Sequence, residues 1–175
     1  MADMLTEARK YFEVEPIHFA EDERHEAIET FQHKLQVRSD KPVIGAYHRG
    51  AKAFYVLRLA ESGFPAERHG EELPPALQNL DVTVLTYLIF IELLGFDQQR
   101  LDNERLIGYT IDVREAVEAV HRGDYNAAFI LNPTTVQQVC DIADQGLVMP
   151  RKATYFYPKV VCGMVINSLA EELRP

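Results

Sequence analysis

The chain has 175 residues and a formal net charge of −9, from 27 acidic side chains against 18 lysines and arginines. A compact chain of this length buries roughly 70% of the surface its unfolded form exposes, enough for a core without staples. The acidity excludes a general nucleic-acid binder, which needs a basic face for phosphates, but leaves room for a local cationic pocket.

Apolar residues make up 47% of the chain and charged residues 26%, the balance of an ordinary globular protein rather than a disordered one. The simplest organisation is a single α/β domain over residues 1–175, with a possible sub-domain joint near 62–75. Cys140 and Cys162 lie among apolar neighbours and form no Cys-x-x-Cys pair. They are expected to be free, buried thiols of a reducing, cytoplasmic protein. Met1 to Lys10 is polar and helix-like, unlike a secretory leader. The longest apolar run, Val82 to Leu94, is interrupted by Thr86 and Glu92 and is too short to span a bilayer. No membrane partner is expected.

In chain order, Leu5 to Phe12 predicts a short helix, because Leu5, Ala8 and Phe12 share one face. Phe12 to Glu15 alternates as a strand and is expected to stop at Pro16. Asp22 is placed to cap a helix carrying Ala27, Ile28, Phe31 and Leu35 at helical spacing. His25 and His33 stand on it two turns apart, too far to share a metal, so they read as solvent-facing. Val43–Tyr47 and Ala53–Leu59 predict a β-hairpin around the turn-permitting Gly50. His48, Arg49 and Lys52 make a cationic tip, read as solvated. Ser62 to Pro75, with Gly63, Pro65, Gly70, Pro74 and Pro75, is a surface loop or joint.

Pro75 to Leu94 predicts one central helix that is apolar nearly all round. It is therefore buried in the core or in a subunit interface. Gly95 is placed to end it. After a polar connection, Leu106–Ile111 reads as a strand, and Asp112 with Glu115 as a capping box for a helix closed by Gly123. Ala127–Leu131 reads as a buried strand. Thr134 with Gln137 is the next capping pair, Val136, Val139, Cys140 and Ala143 the next apolar stripe, and Leu147–Met149 the next strand. This β-α-β-α-β run predicts parallel strands with right-handed crossovers. The expected fold is a mixed α/β sheet: a parallel C-terminal portion, a hairpin in the first half and a buried central helix.

Ligands of open α/β sheets settle beyond the carboxyl ends of the strands, where Asn132, Pro133, Thr134 and Thr135 fall. A helix start presents unpaired N–H groups to anions, and the same residues are equally good caps. Further on, Lys152 and Lys159 offer charge, and Thr154, Tyr155 and Tyr157 offer hydroxyls. The plainer reading is an edge strand with half-buried tyrosines and snorkelling lysines. Folded together, the two stretches make an anion pocket of Asn132, Thr134, Thr135, Lys152, Thr154, Tyr157 and Lys159, suited to a phosphate, a carboxylate or a nucleotide phosphate. No Gly-x-x-x-x-Gly-Lys-Ser/Thr loop, Gly-x-Ser-x-Gly elbow or His-x-x-x-His pair occurs. The sequence thus names no reaction, metal or cofactor. An oligomerisation module built on the central helix is the alternative.

Ala128-Phe129-Ile130-Leu131-Asn132-Pro133-Thr134-Thr135-Val136, followed by Val148-Met149-Pro150-Arg151-Lys152-Ala153-Thr154-Tyr155-Phe156-Tyr157-Pro158-Lys159, resembles the C-terminal signature of the DUF1015 family of bacterial and archaeal proteins. Leu80-Asp81-Val82-Thr83-Val84-Leu85 resembles its helix motif, and the likeness runs from about Phe12 to Leu169. Members are about twice as long. The resemblance implies a fragment or a half-length gene product, whose active site, if the family has one, needs the other half. The family pattern often has histidines where Thr86 and Ile111 stand, so chemistry that needs them is not expected here. The family has no known activity, so the resemblance implies a fold and not a reaction.

Overall fold

A computed structural model describes residues 2–37, 41–65, 73–103 and 105–154. Strands β1 (Phe12–His18), β2 (Val43–His48), β3 (Ala53–Leu59) and β4 (Ala127–Leu131) form one sheet in the order β1-β3-β2-β4. The helices are α1 (Ala2–Ala8), α2 (Arg24–Gln36), α3 (Pro75–Gln78), α4 (Asp81–Val84), α5 (Gln98–Leu101), α6 (Val113–Arg122) and α7 (Val136–Asp144). A 3-10 turn, Glu21–Glu23, leads into α2, and a π-helix, Leu85–Leu93, continues α4.

Both faces of the sheet are buried, and the period of two along each strand sorts the side chains between them. Ile44, Ala46, Leu57 and Leu59 face α1 and the α4/π-helix, meeting Leu5, Ala8, Val84 and Leu88. Val43, Tyr47, Phe54 and Val56 face α2 and α6, meeting Ile28, Phe31, Val117 and Val120. The result is three layers, helix, sheet and helix. β1 is an edge strand and runs through Pro16 to His18. An edge tolerates proline because the missing N–H takes nothing from a neighbouring strand. The β2–β3 hairpin forms where the sequence predicts it, with Gly50 at φ 79° in the turn. Its tip is tied down rather than simply solvated: the Arg49 guanidinium donates to Asn126 Oδ1 at 2.6 Å.

The parallel C-terminal portion does not form in the described sheet. Every described strand pair is antiparallel, β4 included, with Ile44 opposite Leu131 and His48 opposite Ala127. Leu106–Ile111 and Leu147–Met149 are not strands. Leu106, Tyr109, Ile111 and Val148 are exposed, at 49%, 62%, 78% and 84%. Alternation signals a pleat only where a partner strand supplies the ladder, and these stretches find none among the described residues.

The central helix is also modified. Leu80 is extended (φ −89°, ψ 133°) and buried, which splits Pro75–Gln78 from the helix that starts at Asp81. The π-helix carries i→i+5 bonds such as Leu94 N–H to Ile89 O at 2.9 Å. Its wider turn brings Leu85, Leu88 and Ile89 onto the sheet, with Phe90, Leu93 and Leu94 partly buried around them.

α6 starts as expected. Asp112 Oδ1 accepts the N–H groups of Arg114 (2.8 Å) and Glu115 (3.3 Å). The reciprocal half of the box goes through Thr110, whose hydroxyl donates to Glu115 and accepts the Asp112 N–H. Asp112→Ala is expected to cost about 1 kcal/mol, read as a lower urea midpoint at constant m-value.

Candidate functional site

Three chain segments converge at one end of the sheet. β2 begins at Val43, β4 ends at Leu131, and α4 begins at Asp81. Ile44 lies opposite Leu131, so the next N–H groups outward belong to Val43 and Asn132. The Asp81 carboxylate takes both, Oδ1 from Val43 at 3.2 Å and Oδ2 from Asn132 at 3.3 Å. One side chain thus closes the open end of the β2–β4 ladder and pins the helix start to it. Burial pushes the Asp81 carboxyl above the usual carboxylate range, against the lowering effect of the two backbone donors.

Beside this junction lies a half-open cavity of about 320 Å³. Asp81, Asn132, Thr134 and Thr135 form one part of its wall, and Lys41, Asn79 and Gln138 add polar groups. Leu35, Val37, Val43 and Leu80 give it an apolar side. A second hollow, of about 510 Å³, shares Asn79 and Gln138 with the first and continues along α7 to Asp141 and Asp144.

α7 is capped one residue later than predicted. Thr135 Oγ1 accepts the Gln138 N–H at 3.2 Å, and Gln138 Oε1 accepts the Thr135 N–H at 2.9 Å. Thr134 bonds elsewhere, and its hydroxyl donates to Ala153 O at 2.6 Å. That bond brings the loop after α7 back over the Asn132 corner. Arg151 to Asp102, at 2.6 Å, holds the same loop from the other side.

Asn132, Thr134 and Thr135 therefore meet at one cavity. Lys152 and Thr154 are exposed and are not part of its wall. Lys152 has a left-handed backbone (φ 58°), and its ammonium lies 5.3 Å from the Tyr109 ring centre. Tyr157 and Lys159 lie outside the described residues. Among the described residues the cation at the cavity is Lys41, which is ion-paired with Glu61. Sequence reading misses both Lys41 and Asp81. Lys41 gives no local signal, because only the β2–β4 pairing brings it near Asn132. Asp81 gives one, since it falls in the Leu80–Leu85 stretch that resembles a family motif.

α7 also turns a different face inward than its stripe suggests. Ile142 is buried and Val139 half-buried, while Val136 (71% exposed), Cys140 and Ala143 face outward. Cys140 is therefore a free, exposed thiol, not a buried one. Residues 136, 140 and 143 and residues 139 and 142 both fit helical spacing, and only tertiary packing, which sets α7 beside α3, chooses between them. His25 and His33 are not buried on α2. Among the described residues no helix is long and apolar enough to cross a membrane, and no three His, Cys, Asp or Glu side chains group as a metal site would need. No family model matches the chain, and neither a curated protein nor a solved structure matches it.

Proposed function

We propose that this chain is a binding domain for a small anionic molecule carrying a phosphate or carboxylate, related to the C-terminal half of DUF1015 proteins and working in the cytoplasm. The observation that carries this reading is the cavity whose wall brings Asn132, Thr134 and Thr135 together with Lys41. The lysine supplies charge and the apolar wall lowers the local permittivity. The Thr134 and Thr135 hydroxyls donate to Ala153 O and Gln138 Oε1, so each must turn from its protein acceptor to serve an anion. Lys152 and Thr154 belong to the proposal only through the loop that Thr134 ties down, and Tyr157 and Lys159 only as residues of the sequence motif.

Inorganic phosphate, inorganic sulfate and a nucleoside monophosphate are the probes. A ligand present at about a hundred times its Kd adds ~2.7 kcal/mol to stability. For a chain of this length that raises Tm by about 5–10 °C. Lys41→Met is expected to remove most of the shift. A flat melting curve with all three probes at millimolar concentration overturns the reading.

The exposed apolar side chains favour a second reading, an oligomerisation module. Tyr109, Ile111, Val136 and Val148 stand outward on α7 and on the segments before α6 and after α7. Sedimentation of a monomer at micromolar concentration removes it.

A further inference from the structure

We infer that Asp81 tunes the anion affinity of this cavity through its charge: as a carboxylate it opposes a bound anion and as a neutral acid it does not, so anion binding tightens as the pH falls. The inference rests on the anion-binding reading above and adds its regulation.

Asp81 and Lys41 are the two charged groups among the described residues of the wall. The other polar groups of the wall are neutral. Gln36 comes from α2, Asn79 from the α3–α4 break, Asn132, Thr134 and Thr135 from the β4–α7 corner, and Gln138 from α7. Glu61, which is exposed and not part of the wall, pairs with Lys41. The Lys41 hydrogen bond holds the Glu61 carboxyl below its usual range, so that pair keeps its charge while Asp81 titrates. Among the described residues of the wall, an ionised Asp81 therefore offsets the Lys41 charge, and a protonated one leaves that charge uncompensated within the wall.

Asp81 cannot swing aside to relieve the repulsion. Each of its oxygens is held by a backbone N–H, one on β2 and one just past β4. Its titration also lies closer to neutrality than that of an exposed aspartate, because burial disfavours the ion. Like charges about 4 Å apart near a protein surface repel strongly enough to change affinity by tenfold or more. Once protonated, the same carboxyl offers an O–H donor to the anion.

Inorganic sulfate is the probe, since its own charge stays constant across the working range. Calorimetric titration of the intact chain is expected to show sulfate binding that tightens steadily as the pH is lowered from about 8 to the acid limit of the folded state, by about tenfold once Asp81 is protonated. Asp81→Asn is expected to bind with the tighter affinity throughout. An asparagine accepts only one of the two N–H groups in the same way, so this variant also loses stability. The second readout needs no variant: carbon-13 NMR of the Asp81 carboxyl is expected to show its titration moving up when sulfate is bound, by the reciprocity of linked equilibria. Sulfate that binds wild type equally across that range, or leaves the Asp81 titration in place, overturns the inference and spares the binding reading. Sulfate that binds nowhere in it overturns both.

Discussion

Phe54→Ala is expected to lower the unfolding free energy by about 3–5 kcal/mol. Phe54 is fully buried on β3, an interior strand of the sheet. Its ring stacks on Phe31 at 4.8 Å and 15°, and lies 4.8 Å from Phe19 and 5.0 Å from Tyr47. Alanine forfeits the transfer energy of the ring and part of three ring contacts, each worth about 0.5–1.5 kcal/mol beyond burial. The hole cannot collapse cheaply. β3 is held on both sides by β1 and β2, and α2 is held by Ile28 and Leu35 as well as Phe31. For a chain of this length the loss lowers Tm by roughly 6–20 °C. Urea unfolding measures it directly, as a lower midpoint at unchanged m-value. A loss below about 1 kcal/mol would mean that the four rings are not packed as a core.

The parts of this fold that local chemistry dictates are legible in the sequence. The Val43–Leu59 hairpin follows from alternation around a turn glycine. The start of α6 follows from Asp112, and its end from Gly123, which adopts φ 91°. The parts decided by pairing between distant segments are not. Leu106–Ile111 alternates like a strand yet finds no partner among the described residues, and β4 pairs antiparallel with β2 across about eighty residues of sequence. The cap of α7 falls one residue away from its expected place because Thr134 and Thr135 are chemically equal, and only the contact with Ala153 separates them. The candidate site divides in the same way. Asn132, Thr134 and Thr135 are readable as a helix start after a strand. Asp81 and Lys41 join them only because the sheet order puts β2 beside β4.

Gly45→Ala is expected to destabilise the protein by about 1–3 kcal/mol, although the same exchange in a relaxed strand usually stabilises. Glycine costs backbone entropy on folding, so alanine in its place normally gains about 0.4–1 kcal/mol. The sign reverses here because β2 passes directly beneath α2. A Cβ on Gly45 would overlap the Phe31 ring edge and stand 2.9 Å from Leu35 Cδ1. Phe31 cannot rotate away, since its face is stacked on Phe54. The accommodation that remains is to lift α2 off the sheet. Leu35 and Val43 both line the candidate cavity, so lifting α2 widens the cavity as it destabilises the fold. Sulfate affinity is therefore expected to fall together with Tm. Pairing Gly45→Ala with Phe31→Leu, which shortens the obstructing side chain, separates overpacking from a generic strand defect. If overlap is the cause, the double variant loses less stability than the two single losses added together. Simple additivity would show that α2 never pressed on Gly45.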